Sequence, residues 1–237
     1  MWNSRTALLV GEENLALLEK KHVLVVGVGG VGAYAAEMLC RAGIGTLTLV
    51  DADTIKESNL NRQLPATTST LGNKKVEVLA QRLLDIHPQL TINTRDIFID
   101  ENSIPPLFAE LQVDFVIDAI DTLSPKIALI GYCVSHKIKI TSSMGAGGRM
   151  DPTQIHYADI SKTFHCTLAK HVRKRLKLLH ITKGLPVVFS SEQVNRKSVI
   201  QINDEKNKCS TLGTISYLPA IFGCYLAAYV IQKLIQK

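Results

Sequence analysis

VLVVGVGGVGAYAAEMLCRAGIGTLTLVDAD, residues 23–53, reads as strand, glycine turn, helix, strand and acid. Val23–Val26 is a short β-branched and aliphatic run suited to a buried strand, and Gly27-Val28-Gly29-Gly30-Val31-Gly32 follows it in the order G-x-G-x-x-G. Helical periodicity then runs from Val31 to Ala42, and Thr46–Val50 is a second strand ending in Asp51. Gly27 permits a tight turn, Gly29 lets backbone N–H groups approach a phosphate, and Gly32 lets the helix pack close to the strand. The helix start would face an anion with unpaired N–H donors and the positive end of its dipole. Asp51 lies 19 residues past Gly32, where an acid meets ribose hydroxyls, with Asp53 just beyond. The pattern predicts a nucleotide-binding βαβ unit; a glycine-rich turn that binds nothing is the plainer alternative.

Around this stretch, 237 residues suffice for one large core. A composition of 46% hydrophobic and 20% charged residues excludes a disordered or fibrous chain. A net charge of +6 is compatible with a polyanionic partner without demanding one. The cysteines, Cys40, Cys133, Cys166, Cys209 and Cys224, are odd in number and never spaced C-x-x-C, so neither a disulfide framework nor a zinc site is signalled. MWNSRTALLVGEENL at the start carries charges and no apolar leader core. A reducing cytoplasm is the expected setting.

Residues 4–20 read as two short helical segments broken near Gly11, and Thr54–Leu64 as a polar loop. Gly72 to His87 is an amphipathic helix with Val76, Leu79, Ala80, Leu83 and Leu84 on one face. Lys74 and Lys75 in its first turn oppose the helix dipole by a few tenths of a kcal/mol, which a bound anion would offset. Thr91–Arg95, Phe115–Ala119 and Ile138–Ser142 are further strands, with a helix over Pro125–Lys137. Such alternation predicts a doubly wound, mostly parallel α/β sheet with ligands off its carboxyl edge, where Asp51, Asp118 and Asp121 would converge on the glycine loop.

From Met144 the pattern changes to a glycine-rich turn, an antiparallel strand over Gln154–Tyr157, and a basic helix over Cys166–Leu179. Short strands follow at Val187–Ser190 and Val199–Ile202, with exposed loop chemistry between Glu192 and Asn207. One domain over 1–237 is expected, its nucleotide-binding half 1–145 and its extension 146–237. Leu212 to Ile231 carries no charge and could span a bilayer by length. Its Gly213, Thr214, Ser216, Pro219 and Gly223 favour a buried closing helix over a membrane anchor.

The loop Asn59-Leu60-Asn61-Arg62-Gln63 and Lys75 place amides and two cations beside the nucleotide. Hydride transfer has no use for them, because nicotinamide reacts far from its pyrophosphate. Phosphoanhydride cleavage does, since charge grows on the leaving pyrophosphate. Asp121 is the candidate to hold Mg²⁺, a hard ion that prefers carboxylate and phosphate oxygens. The plainer readings are surface solvation for Arg62 and Lys75, and an acid near a helix N-cap for Asp121.

GVGGVG, LVDAD, SNLNRQ, GNKKVE and DAID, in this order over roughly residues 5–145, resemble the ThiF/MoeB-type adenylating enzymes, relatives of ubiquitin-activating enzymes. The resemblance implies binding of ATP and Mg²⁺ and adenylation of a carboxylate. Asp51 would hold the ribose, Asn59, Arg62 and Lys75 the phosphates, and Asp121 the metal. Arg5 would reach into the ATP site of a partner subunit in a homodimer, although Trp2-Asn3 replaces the usual Arg-aromatic pair before it.

GIGTLTLVDAD, DAIDTLSPKIALI, GAGGRMDPTQI and DISKT, followed by a basic helix and VVFSSE, are similar to a tRNA-modifying branch of that family over nearly the whole chain. Zinc-binding C-x-x-C pairs of other branches are missing here, so no zinc is expected. The implied reaction is ATP-dependent cyclisation of a threonylcarbamoyl group on an adenosine beside the tRNA anticodon, through an acyl-adenylate. The resemblance further suggests a monovalent cation (K⁺ or Na⁺) and a cysteine desulfurase and sulfur-acceptor system as partners.

Cys166 stands where some adenylating enzymes place a thiol, but intramolecular closure needs none, and an ordinary thiol is preferred there and for Cys209 and Cys224. His165, His171 and His180 are read as surface histidines. Lys170, Arg173, Lys174, Arg175 and Lys177 on the basic helix are candidate tRNA contacts, with a solvated helix face as the alternative. Two other functions compete. One activates the C-terminus of a ubiquitin-like sulfur carrier. The other is an NAD-binding oxidoreductase or sensor, which Arg62 and Lys75 disfavour.

Overall fold

The computed structural model describes residues 2–194, 199–201 and 210–235. His22–Val26 (β1), Thr46–Val50 (β2), Thr91–Arg95 (β3), Phe115–Asp118 (β4) and Ile140–Ser143 (β5) are parallel strands. Pro186–Ser190 (β7) continues the sheet parallel to β5, and Ile155–Asp159 (β6) closes it antiparallel, in the order β3-β2-β1-β4-β5-β7-β6. A ribbon of Val199–Gln201 (β8) and Ser210–Leu212 (β9) stands apart.

Buried parallel strands need apolar residues on both faces, and β1 supplies them by alternation. Val23 and Val25 join the cluster on one face, Leu24 and Val26 that on the other. The first face carries Glu12–Leu18 (α2), Gly32–Ala42 (α3), Lys75–Ile86 (α4) and Tyr217–Ile235 (α8). The second carries Ile104–Glu110 (α5), Leu123–Ser135 (α6) and Thr167–Leu178 (α7). Ser4–Val10 (α1) precedes α2 across Gly11.

The expected elements are found with shifts of one to a few residues at their ends, and two unforeseen ones are added. In α5, Pro105 and Pro106 disguise a helix whose first turn tolerates them, because the N–H groups there have no intrahelical partner. Strand β9 is the other, and with it the closing helix starts at Tyr217 rather than Leu212. Helix α8 is long and apolar enough to cross a membrane, yet Leu218, Phe222, Leu226 and Val230 are buried against the core. Its fit on α3 depends on Gly223, where a Cβ would stand 2.4 Å from the Val31 carbonyl oxygen.

Candidate active site

The parallel strands end at one edge, and the order reverses between β1 and β4, opening the crevice where such sheets bind ligands. The glycine turn lies in that crevice. Gly27 has φ +86°, and a Cβ on Gly32 would stand 1.8 Å from the Gly27 carbonyl oxygen, so the turn closes only with hydrogen there. Pro219 of α8 roofs the turn, 3.2 Å from where a Cβ on Gly30 would be.

Asp51 staples the turn to the end of β2. Its Oδ2 accepts the Val28 N–H at 2.8 Å and its Oδ1 the Asp53 N–H at 2.9 Å. Burial raises its pKa, opposed by Lys75 and these two N–H groups. Lys75, 5% exposed, begins α4 with its Nζ 2.7 Å from the largely exposed Asp53 carboxylate. Lys74 pairs with Asp96 at 2.8 Å. Protein carboxylates therefore answer both lysines, and the dipole argument for a bound anion does not hold.

The loop expected beside the nucleotide does fold against the turn. Asn59 is buried and caps a 3₁₀ turn, its Oδ1 accepting the Lys56 N–H at 3.0 Å. Arg62 lays its Cγ along Gly30 while Nη1 donates to the Ser58 carbonyl and to Asn61 Oδ1, each at 2.8 Å. Gln63, unmarked by type or spacing within this loop, is 9% exposed and lies against Gly29. Among the described residues its Oε1 has no hydrogen-bond partner. A buried orphan acceptor is costly, and this one borders the cradle.

Asp121 is exposed beyond the end of β4. Asp118 does not join it at the glycine loop, contrary to expectation: it is fully buried and pairs with Lys126 at 2.6 Å. Arg5 is exposed on α1, whose preceding Trp2 packs on His87. His87 follows the far end of α4. With about 1.5 Å of rise per residue, that end is roughly 18 Å from the cradle at Lys75.

Cys166 is buried and caps α7, its Sγ accepting the Ala169 N–H at 3.5 Å. Burial pushes the Cys40 and Cys133 thiols up to about 11 and about 12, and Cys224 is half-buried in α8. Cys209 lies outside the described residues. His165, His171 and His180 are exposed. On α7, Lys170, Lys174, Arg175 and Lys177 are exposed, but Arg173 turns inward and donates to the Thr163 carbonyl at 2.9 Å. The helix starts beside Gly145 and ends against Gly131 of α6, so Lys174, Arg175 and Lys177 sit two or more turns from the strand ends.

Residues 3–237 match the ThiF family. The chain belongs to that family. Within the family it is similar to the tRNA threonylcarbamoyladenosine dehydratase of Bacillus subtilis (strain 168), at 38% identity over 240 residues, 98% of this chain and 94% of that protein. The crystal structure of the E. coli tRNA N6-threonylcarbamoyladenosine dehydratase, TcdA, in complex with AMP has a TM-score of 0.89 and 36% identity, covering 98% of this chain and 93% of that one. Its ATP complex has a TM-score of 0.88 and 35% identity over the same shares. The seven-stranded sheet of this ThiF-family chain, with its antiparallel edge, is the one those structures share.

Proposed function

We propose that this chain is an ATP-dependent tRNA threonylcarbamoyladenosine dehydratase. The carboxylate of the modified adenosine attacks the α-phosphorus of ATP and releases pyrophosphate. A nucleophile of the same side chain then attacks the activated carbonyl and expels AMP. The nucleoside loses one water in total. The carrying observation is the likeness to TcdA over almost the full length of both chains, including its ATP and AMP complexes.

In this reading the Gly27–Gly32 turn lies under the phosphates, Asp51 meets the ribose, and Asn59 Nδ2, Arg62 and Lys75 face the phosphate oxygens. Asp53 would release Lys75 to them, and Gln63 Oε1 would take a donor from the ligand. Mg²⁺ would neutralise phosphate charge and orient it. Asp121 fits such an ion, because Mg²⁺ is commonly held by one or two carboxylates together with substrate phosphates. Ring closure is intramolecular, so holding the reacting groups in register supplies much of the rate.

A homodimer completes the site in this proposal. Arg5 is exposed on α1, which follows the Trp2 that packs at the end of α4 far from Lys75, and its helix also exposes Leu8 and Leu9, at 88% and 85%. Burying such surface on a second copy is favourable. A single domain over 1–237, residence in the cytoplasm, a K⁺ or Na⁺ requirement and a sulfur-relay partner belong to the same reading.

The test is incubation with threonylcarbamoyladenosine-bearing tRNA, ATP and Mg²⁺, followed by mass spectrometry of the nucleosides. ATP-dependent loss of one water is expected. An unchanged nucleoside would overturn the proposal. Pyrophosphate exchange driven by a sulfur carrier's C-terminus, or preference for NAD over ATP in a titration, would point to its rivals.

A further inference from the structure

Asp118 and Lys126 are the largest investment of buried charge beside the crevice: both are 0% exposed and 2.6 Å apart. Their network is closed. Lys126 Nζ also donates to Ser142 Oγ at 3.1 Å and to the Ser143 carbonyl at 3.0 Å, which uses its three protons. Ser142 Oγ donates to Asp118 Oδ2 at 2.6 Å. Nothing on the ammonium is left for a substrate, so the pair does not act by contact. Buried pairs are also seldom better for stability than apolar residues of similar size. Its place in the fold offers another role.

The remaining oxygen, Asp118 Oδ1, accepts the Ile120 N–H at 3.1 Å. That N–H belongs to the Ala119–Ile120 peptide, and Ile120 is the residue before Asp121. We propose that Asp118 is a positioning residue: it fixes the Ile120 peptide and through it the carboxylate of Asp121. Lys126 and Ser142 hold Oδ2, so that Oδ1 cannot turn away from the loop. The inference rests on the reading of Asp121 as the group that engages Mg²⁺ with ATP. The neighbouring Ala119 N–H donates to the Val26 carbonyl at 2.8 Å and keeps the loop against the glycine turn by backbone alone. Side-chain changes at 118 and 126 leave that contact in place, which makes AMP binding an internal control.

Two double variants remove the same pair of charges and differ in whether a polar amide remains at position 118. Asp118→Asn with Lys126→Met keeps an oxygen for the Ile120 N–H and an amide for Ser142; Asp118→Leu with Lys126→Met keeps neither. Calorimetry would measure ATP affinity with Mg²⁺ and with EDTA, and AMP affinity, for both variants, wild type and Asp121→Asn. The leucine variant is expected to lose about 10- to 100-fold of the Mg²⁺-dependent gain, the cost typical of removing a ligand's supporting partner. The asparagine variant should keep that gain, and AMP affinity should hold in both. Ile120→Pro deletes the donor while the buried pair stays, and should lose the same gain even if the leucine variant does not fold. Retention of the gain by the leucine or proline variant would overturn the proposal, as would its loss in both double variants alike. Parallel loss of AMP affinity would reduce the pair to a structural role and overturn it too. If Asp121→Asn matches wild type, the reading of Asp121 fails first, and the proposal with it.

Discussion

Replacing Lys75 by Met separates what the stem packs from what the charge does. Lys75 is 5% exposed, and Met retains an unbranched apolar stem in the same space. Volume-conserving swaps of this kind cost less than about 1.5 kcal/mol. The lost partner, Asp53, has a side chain 68% exposed, so the broken pair is worth on the order of 0.2–1 kcal/mol. A net destabilisation of about 1 kcal/mol follows, or a fall in Tm of about 2–4 °C for a chain of this size. Catalysis should suffer far more. A positioned donor facing charge that develops on a leaving group contributes about 100- to 1,000-fold to kcat. Pyrophosphate release and nucleoside mass spectrometry would read the rate, thermal unfolding the stability, and AMP titration the cradle. The expected pattern is a kcat lower by that factor with AMP affinity intact, since AMP lacks the β- and γ-phosphates. A folded Lys75→Met enzyme with wild-type turnover would refute the assignment.

Cys166→Ser should leave turnover unchanged and hold or slightly raise Tm, because a hydroxyl caps a helix better than a thiol; loss of turnover in the folded variant would restore a catalytic thiol. Mixing Arg5→Ala with Lys75→Ala should recover about a quarter of wild-type activity, since half the dimers are mixed and each holds one intact site; no recovery would place Arg5 outside the partner's site. Burial lowers the pKa of His87, only partly opposed by Glu19. Its neutral form therefore stabilises the fold above the ordinary value of 6.5, and this is lost as pH falls through the folded-state value. His87→Gln should flatten the decline of Tm between about pH 7 and 5, and an unaltered decline would locate its source elsewhere. Replacing Lys174, Arg175 and Lys177 together by Ala should lower the salt slope of tRNA binding by about two to three; an unchanged slope would remove this face from the interface.

The βαβ unit was legible because its signals are local. A buried strand, a turn that admits only hydrogen at Gly32 and a helix with one apolar face are each written within a few consecutive residues. The loop that carries Asn59 and Arg62 was legible for the same reason, and Arg62 does lie along Gly30. What the sequence concealed depends on partners far along the chain. Asp118 has the same strand-end position as Asp51, but Lys126 and Ser142 take it inward. Arg173 sits among exposed cations, and only the approach of Thr163 turns it away from solvent. Helix α5 was hidden by two prolines whose effect depends on falling in its first turn. Gln63 could have been suspected from its place beside Arg62, but its orphaned oxygen is a property of packing.

The roof over the glycine turn comes from α8, far along the chain from the turn. Pro219 meets Gly30 from 189 residues further along the chain, and Gly223 meets Val31. During synthesis the turn can form early, but its wall is missing until α8 has left the ribosome and docked on α3. Under the proposed function, a chain in which α8 has not docked would grip nucleotide less well, and occupancy of the cradle would report the docking of α8 on α3. Nucleotide added during refolding should accordingly act late, trapping finished molecules rather than seeding unfinished ones.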